Sequence, residues 1–169
     1  ILPKGEGLSQ IPEVAKGDPW AFARLPDSNC LRTTERRTPR LGPVETEKFL
    51  FYRGLGRFTL PLRAVTSKGG EVTIHNDGDE PIRHVCAMRR EGSKASLDYV
   101  EVVPAKGSAT LKCGSGSDAA GVTEKVMMVL QRSLVKVGLY EKEAEAMVKT
   151  WERSYFHTEG FRLLYIVPD

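Results

Sequence analysis

Three histidines, His75, His84 and His157, are the only imidazole bases in the chain. His75 and His84 flank the loop Asn76-Asp77-Gly78-Asp79-Glu80-Pro81, so a hairpin could bring them together. Cys86 follows His84 by two residues, the spacing that places two side chains on one face of a strand. His75, His84 and Cys86 are therefore candidate ligands for a first-row metal. Their spacing matches no zinc signature, and a hairpin rim with partly exposed imidazoles accounts for them equally. Asp77, Asp79 and Glu80 supply oxygens of the kind calcium takes, but the later bidentate Glu of a calcium loop is missing. A tight turn explains Asn, Asp and Gly in this run without any ion.

A second candidate is Gly114-x-Gly116-x-x-Ala119, which fits the loose dinucleotide fingerprint. It follows a strand and opens a helix, where backbone N–H groups can meet an anion. Gly114, Gly116 and Ser117 are thus anion-loop candidates. A second helix comes next instead of a strand, and no acidic residue ends a second strand about 20 residues on. Ser117 as the cap of that helix is the simpler reading. Ser115 and Ser117 have no G-x-S-x-G context and no local base. The sequence identifies no catalytic residue and implies no cofactor.

These residues must be held by short strands and two helices. Residues 1–45 are punctuated by Pro and Gly and read as an extended segment packed on the core, pinned by Trp20 and Phe22. Residues 46–169 read as a single α+β domain. Its β-core, 46–112, is a run of short strands joined by turns, which argues for an antiparallel meander or sandwich. Val72 and Ile74 alternate cleanly, whereas the apolar residues from Ile82 to Arg90 do not keep to one face. Beyond Gly116 the apolar period becomes 3.6, giving an αα-hairpin over 117–155 that turns at Gly138. Ala144, Met147, Val148, Trp151 and Tyr155 form the stripe of its second helix, with Met147 and Trp151 expected to anchor it on the sheet. Residues 161–167 read as a returning C-terminal strand, because solvent would not tolerate so apolar a tail.

The 169 residues carry 25 Lys and Arg against 22 Asp and Glu, a formal charge of +3. With 40% hydrophobic and 28% charged residues, the composition is that of a globular protein and excludes collagen, a coiled-coil rod and a disordered tail. The dense basic stretch, Leu31 to Arg40, stands alone, and the second helix of the hairpin sets Glu141, Glu143, Glu145 and Glu152 against Lys142, Lys149 and Arg153, an acidity that disfavours a phosphate-facing role. There is no strong nucleic-acid signal. No apolar run is long enough for a transmembrane segment. Cys30, Cys86 and Cys113 lack the C-x-x-C spacing of a structural zinc site. In an exported protein one pair could bridge; in a reducing compartment all three would be small apolar fillers.

Three blocks carry a resemblance: Glu47-Lys48-Phe49-Leu50-Phe51-Tyr52-Arg53-Gly54-Leu55-Gly56, Gly138-Leu139-Tyr140-x-Lys142-Glu143-Ala144-x-Ala146-Met147-Val148-Lys149-Thr150-Trp151, and Gly160-Phe161-Arg162-Leu163-Leu164-Tyr165-Ile166-Val167-Pro168. Across about residues 45–168 the chain resembles a family of uncharacterised, larger bacterial proteins that are exported or envelope-associated. The resemblance implies a truncated chain and a periplasmic, envelope or secreted home. It brings no activity, cofactor or catalytic residue. The expectation is a non-catalytic interaction or structural module, with a protein partner or self-association. The alternative is a hydrolytic or metal-dependent enzyme with a site near His75 and His84.

Overall fold

The computed structural model describes residues 1–18, 20–33, 44–50, 59–67 and 69–167. The chain divides into two units, Ile1–Gly56 and Arg57–Asp169. In the first, a 3-10 turn over Leu8–Gln10 and the one-turn helix α1 (Ala21–Arg24) accompany a two-stranded ladder, β1 (Leu31–Arg32) with β2 (Thr46–Glu47). Trp20 and Phe22 are not strand neighbours. Asp18 accepts the Trp20 N–H at 2.7 Å and the chain curls into α1, leaving Trp20 stacked on Phe49 at 5.2 Å. Arg24 ties this unit together, reaching Asp18 at 2.8 Å and Glu47 at 2.5 Å. Near the start of the expected β-core, residues 48–50 are not strand and 51–58 lie outside the described residues.

The second unit is an α+β assembly of antiparallel sheets, a helical pair and a closing strand. Strands β3 (Leu62–Thr66), β4 (Glu71–Asn76) and β7 (Ser108–Lys112) form one sheet in the order β3-β4-β7. Strands β5 (Ile82–Glu91), β6 (Lys94–Val103), β8 (Ser117–Asp118) and β9 (Gly160–Ile166) form the other, in the order β8-β6-β5-β9. Val72, Ile74 and Leu111 from the first sheet share a core with Ile82, Val85, Ala87 and Val103 from the second. The expected β-core is therefore a sandwich of two sheets. The segment 161–167 does return to it, as β9 alongside β5.

The other face of the larger sheet is covered by α2 (Ala119–Lys136) and α3 (Glu141–Phe156). Here Cys86, Met88, Ala95, Val122, Val126, Val148 and Phe156 make a second core. Gly138, at φ 109°, ends α2: its N–H bonds to the Val135 carbonyl and that of Leu139 to Leu134, the paired closure that a left-handed residue permits. The orientation of α3 departs from the sequence expectation. Ala144, Val148 and Phe156 are buried, while Met147 is 46% and Tyr155 38% exposed. At about 100° per residue, Met147 lies roughly 110° from the centre of the buried arc. Phe156, just past the stripe read from the sequence, turns that arc toward itself.

Candidate functional site

Between Arg83 and Cys86 the pairing of β5 with β9 slips by one residue, from Arg83 opposite Ile166 to Cys86 opposite Leu164. This β-bulge sets His84 at φ 56°, a left-handed conformation unusual for a residue with a side chain. It also explains the mixed faces read from the sequence: Ile82 and Val85, three apart, both enter the sandwich core, while Cys86 and Met88 face the helices. The His84 side chain is buried, and its Nδ1 lies 2.7 Å from the Tyr99 hydroxyl, the neighbouring rings being near parallel. Close by, Lys136 at the end of α2 donates to Glu101 at 2.9 Å. Burial first, then the Lys136 and Arg83 charges, hold the imidazole below its ordinary pKa against the pull of Glu101. His84 is therefore a neutral imidazole sharing one hydrogen bond with a tyrosine.

The metal candidates separate. His75 sits on β4, opposite Arg63 and Ser108, on a different sheet from His84. Cys86 is buried on β5, and burial raises its thiol to about 12, where it holds its proton. Among the described residues, no group of three His, Cys, Asp or Glu is placed to hold a metal ion. Cys30, Cys86 and Cys113 are all free and buried. His157 lies at the end of α3 with Nε2 3.2 Å from Glu152. The acidic loop is a turn built on Asn76, whose amide donates to the carbonyls of Glu80 and Pro104 while its oxygen accepts the Gly78 N–H. Asp79 and Asp77 point to Lys106 (2.9 Å) and Arg63 (3.4 Å).

The glycine loop has its own packing logic. Asp118 caps α2, accepting the Gly121 N–H at 3.0 Å, and Ser117 instead joins β8 opposite Ala95. A Cβ on Gly116 would meet the Ala95 carbonyl at 2.8 Å, so glycine is needed for the loop to lie against β6. The sheet around the loop is antiparallel and α2 leads to α3, so the parallel βαβ unit of a dinucleotide fold is not formed here.

The feature that residue-type motifs did not show is an apolar groove of about 340 Å³ between α2, α3 and β9. Leu130 and Leu134 form one wall, Met147, Trp151 and Tyr155 another, and Ile166 the floor. Trp151 and Tyr155 stack at 5.1 Å. Beside the groove β9 is, among the described residues, the last strand of its sheet, half-buried along its length from Phe161 to Ile166. The signal was present in the sequence as Met147, Trp151 and Tyr155, the part of the α3 stripe that the sheet does not use.

No family model matches this chain, and neither curated proteins nor solved structures include a significant match. None of its helices is long and apolar enough to cross a membrane, among the described residues.

Proposed function

We propose that the chain is a non-catalytic interaction module that pairs with a second copy of itself through β9 and the adjoining groove. One observation carries the reading: a seven-residue, largely apolar strand ends a sheet, among the described residues, directly beside an exposed Met147 and Tyr155. An edge strand with few charges is a template for another strand. The strand is compatible with its own copy. In an antiparallel pair centred on Leu163, Phe161 falls opposite Tyr165 and Arg162 opposite Leu164. An aromatic pair forms on each side and no like charges meet. The resemblance to exported bacterial proteins supports a structural role outside the cytoplasm. His84 and Tyr99 fit this reading as a structural pair, because the imidazole is buried and bonded to the tyrosine hydroxyl.

Sedimentation velocity over about 1–200 µM tests it. The wild-type chain is expected to dimerise, and Met147→Glu to weaken the dimer by tenfold or more at an unchanged melting temperature of the monomer. Met147 is 46% exposed, so the monomer has little to lose. A wild-type chain that stays monomeric across that range overturns the proposal.

A further inference from the structure

We infer that the cleft between the β5–β6 hairpin and the Gly114–Gly116 turn binds a small oxyanion group, a phosphate or carboxylate, on Arg89 and Ser96. The cleft encloses about 230 Å³ and is lined by Arg89, Glu91, Lys94, Ser96 and the backbone of Gly114–Gly116. Strand register builds it. Phe161 on β9, Arg89 on β5 and Ser96 on β6 are cross-strand neighbours in one row. The same face of β5 buries Val85 and Ala87 in the sandwich core, and at the next position of that alternation stands an arginine. The Phe161 ring lies 6.0 Å from the Arg89 guanidinium carbon and holds the group in place.

Arg89 Nε and Ser96 Oγ are both shut off from solvent without a hydrogen-bond partner, two of the three such side-chain atoms among the described residues. A buried donor left unsatisfied is costly, and two of them on residues that line one cleft point to a shared acceptor. The chain supplies a poor one. The Cys113 thiol beside Ser96, which burial first and then the Asp98 charge push above its ordinary pKa, spends its own proton on the Ala87 carbonyl at 3.4 Å, and sulfur is a weak acceptor. Arg89 Nη1 forms an ion pair with Glu91 at 3.5 Å, but that carboxylate is 72% exposed and the pair leaves Nε without an acceptor.

The ligand's sign follows from the inventory. Guanidinium, hydroxyl and the Lys94 ammonium are donors; Glu91 is the single carboxylate, so the charged side chains sum to about +1. The opposite wall is peptide backbone. Packing explains Gly116, as shown above, but not Gly114, whose φ is ordinary and whose Cβ would meet nothing within 4 Å. A bare backbone there leaves room for an anion to approach, as glycine turns do at phosphate sites.

Amide chemical shifts followed during titration at constant ionic strength provide the test, with inorganic phosphate in one arm and acetate in the other. A saturable shift of Gly114–Gly116 in either arm is expected, and the arm that saturates first identifies the group. Arg89→Gln should weaken binding about tenfold and Ser96→Ala about threefold. Glu91→Gln removes the competing carboxylate and should tighten binding about threefold; that side chain is exposed, so the variant reads the site without loss of fold. No saturable shift in either arm, or a Glu91→Gln affinity equal to or weaker than wild type, overturns the inference. The shifts are read at Gly114–Gly116 and dimer formation by sedimentation, so failure of one is distinguishable from failure of the other.

Discussion

Phe156→Ala, compared with Met147→Ala, tests how α3 is turned on the sheet. Phe156 is 1% exposed at the last turn of α3, inside the core with Val126, Met88 and Leu164. Its backbone carbonyl also accepts from Arg90 Nη1 at 3.3 Å. Truncating a fully buried phenylalanine removes the ring's transfer free energy and leaves a cavity, together about 3–5 kcal/mol. With a urea slope of about 1.5 kcal/mol/M, the midpoint should fall by roughly 2–3 M. Met147, 46% exposed, has much of its surface already in water, and alanine is the better helix former. Its truncation should cost less than about 1 kcal/mol. Urea unfolding followed by far-UV circular dichroism measures both. If Met147→Ala lowers the midpoint as far as Phe156→Ala, α3 presents its Met147-Trp151-Tyr155 stripe to the sheet and the groove does not exist as described.

The polar network makes its own predictions. His84 has a depressed folded pKa, so its contribution is fully present above the unfolded value of about 6.5 and is lost as pH falls through the folded one. The urea midpoint should decline from pH 7.5 to 5.5, with Tyr99, Glu101, Lys136 and Arg83 facing the ring. His84→Gln should flatten that slope, and a slope unchanged in the variant would assign it to other groups. Tyr99→Phe removes the 2.7 Å hydrogen bond to Nδ1 and should destabilise by about 1–2 kcal/mol, measured in the same unfolding assay. Gly116→Ala forces a Cβ against the Ala95 carbonyl and should cost about 1–3 kcal/mol, read as a lower melting temperature. Cys86, with its thiol raised to about 12, should not react with a thiol reagent at pH 8 until the chain is unfolded.

The strands of the second unit were legible where a single period ran unbroken. Val72 and Ile74 alternate and are both buried, and Pro61 stands just ahead of β3. The helical pair was legible for the same reason, with Gly138 marking the turn. Periodicity failed where a local irregularity changed the phase. A bulge at His84–Val85 adds one residue against β9, so no two-residue pattern over Ile82–Arg90 could have fitted. On α3 two apolar stripes competed, and sequence alone does not say which one a sheet will cover. The segment around Trp20 and Phe22 is not extended as its Pro and Gly content suggests, because the Asp18 carboxylate accepts the Trp20 N–H and the chain turns into α1.

The candidate site was less legible than the fold because motif spacing describes ligands, whereas the chemistry here rests on what the fold leaves unsatisfied. His75, His84 and Cys86 are near in sequence and divided by the sandwich, His75 on one sheet and the other two on the next. Arg89, Ser96 and Gly114 are dispersed in sequence and brought to one cleft by strand register. The glycine loop has the spacing of a phosphate motif, yet its position in the fold differs from that motif's: it abuts a β-hairpin rather than ending a parallel strand. What carries an anion reading there is a pair of buried donors seven residues apart on adjacent strands. Those two residues become neighbours only because the hairpin turn falls at Gly92 and Ser93, which sets Arg89 opposite Ser96. An insertion of one residue in that turn would move Ser96 to the helical face and abolish the cleft's chemistry while leaving every residue type in place.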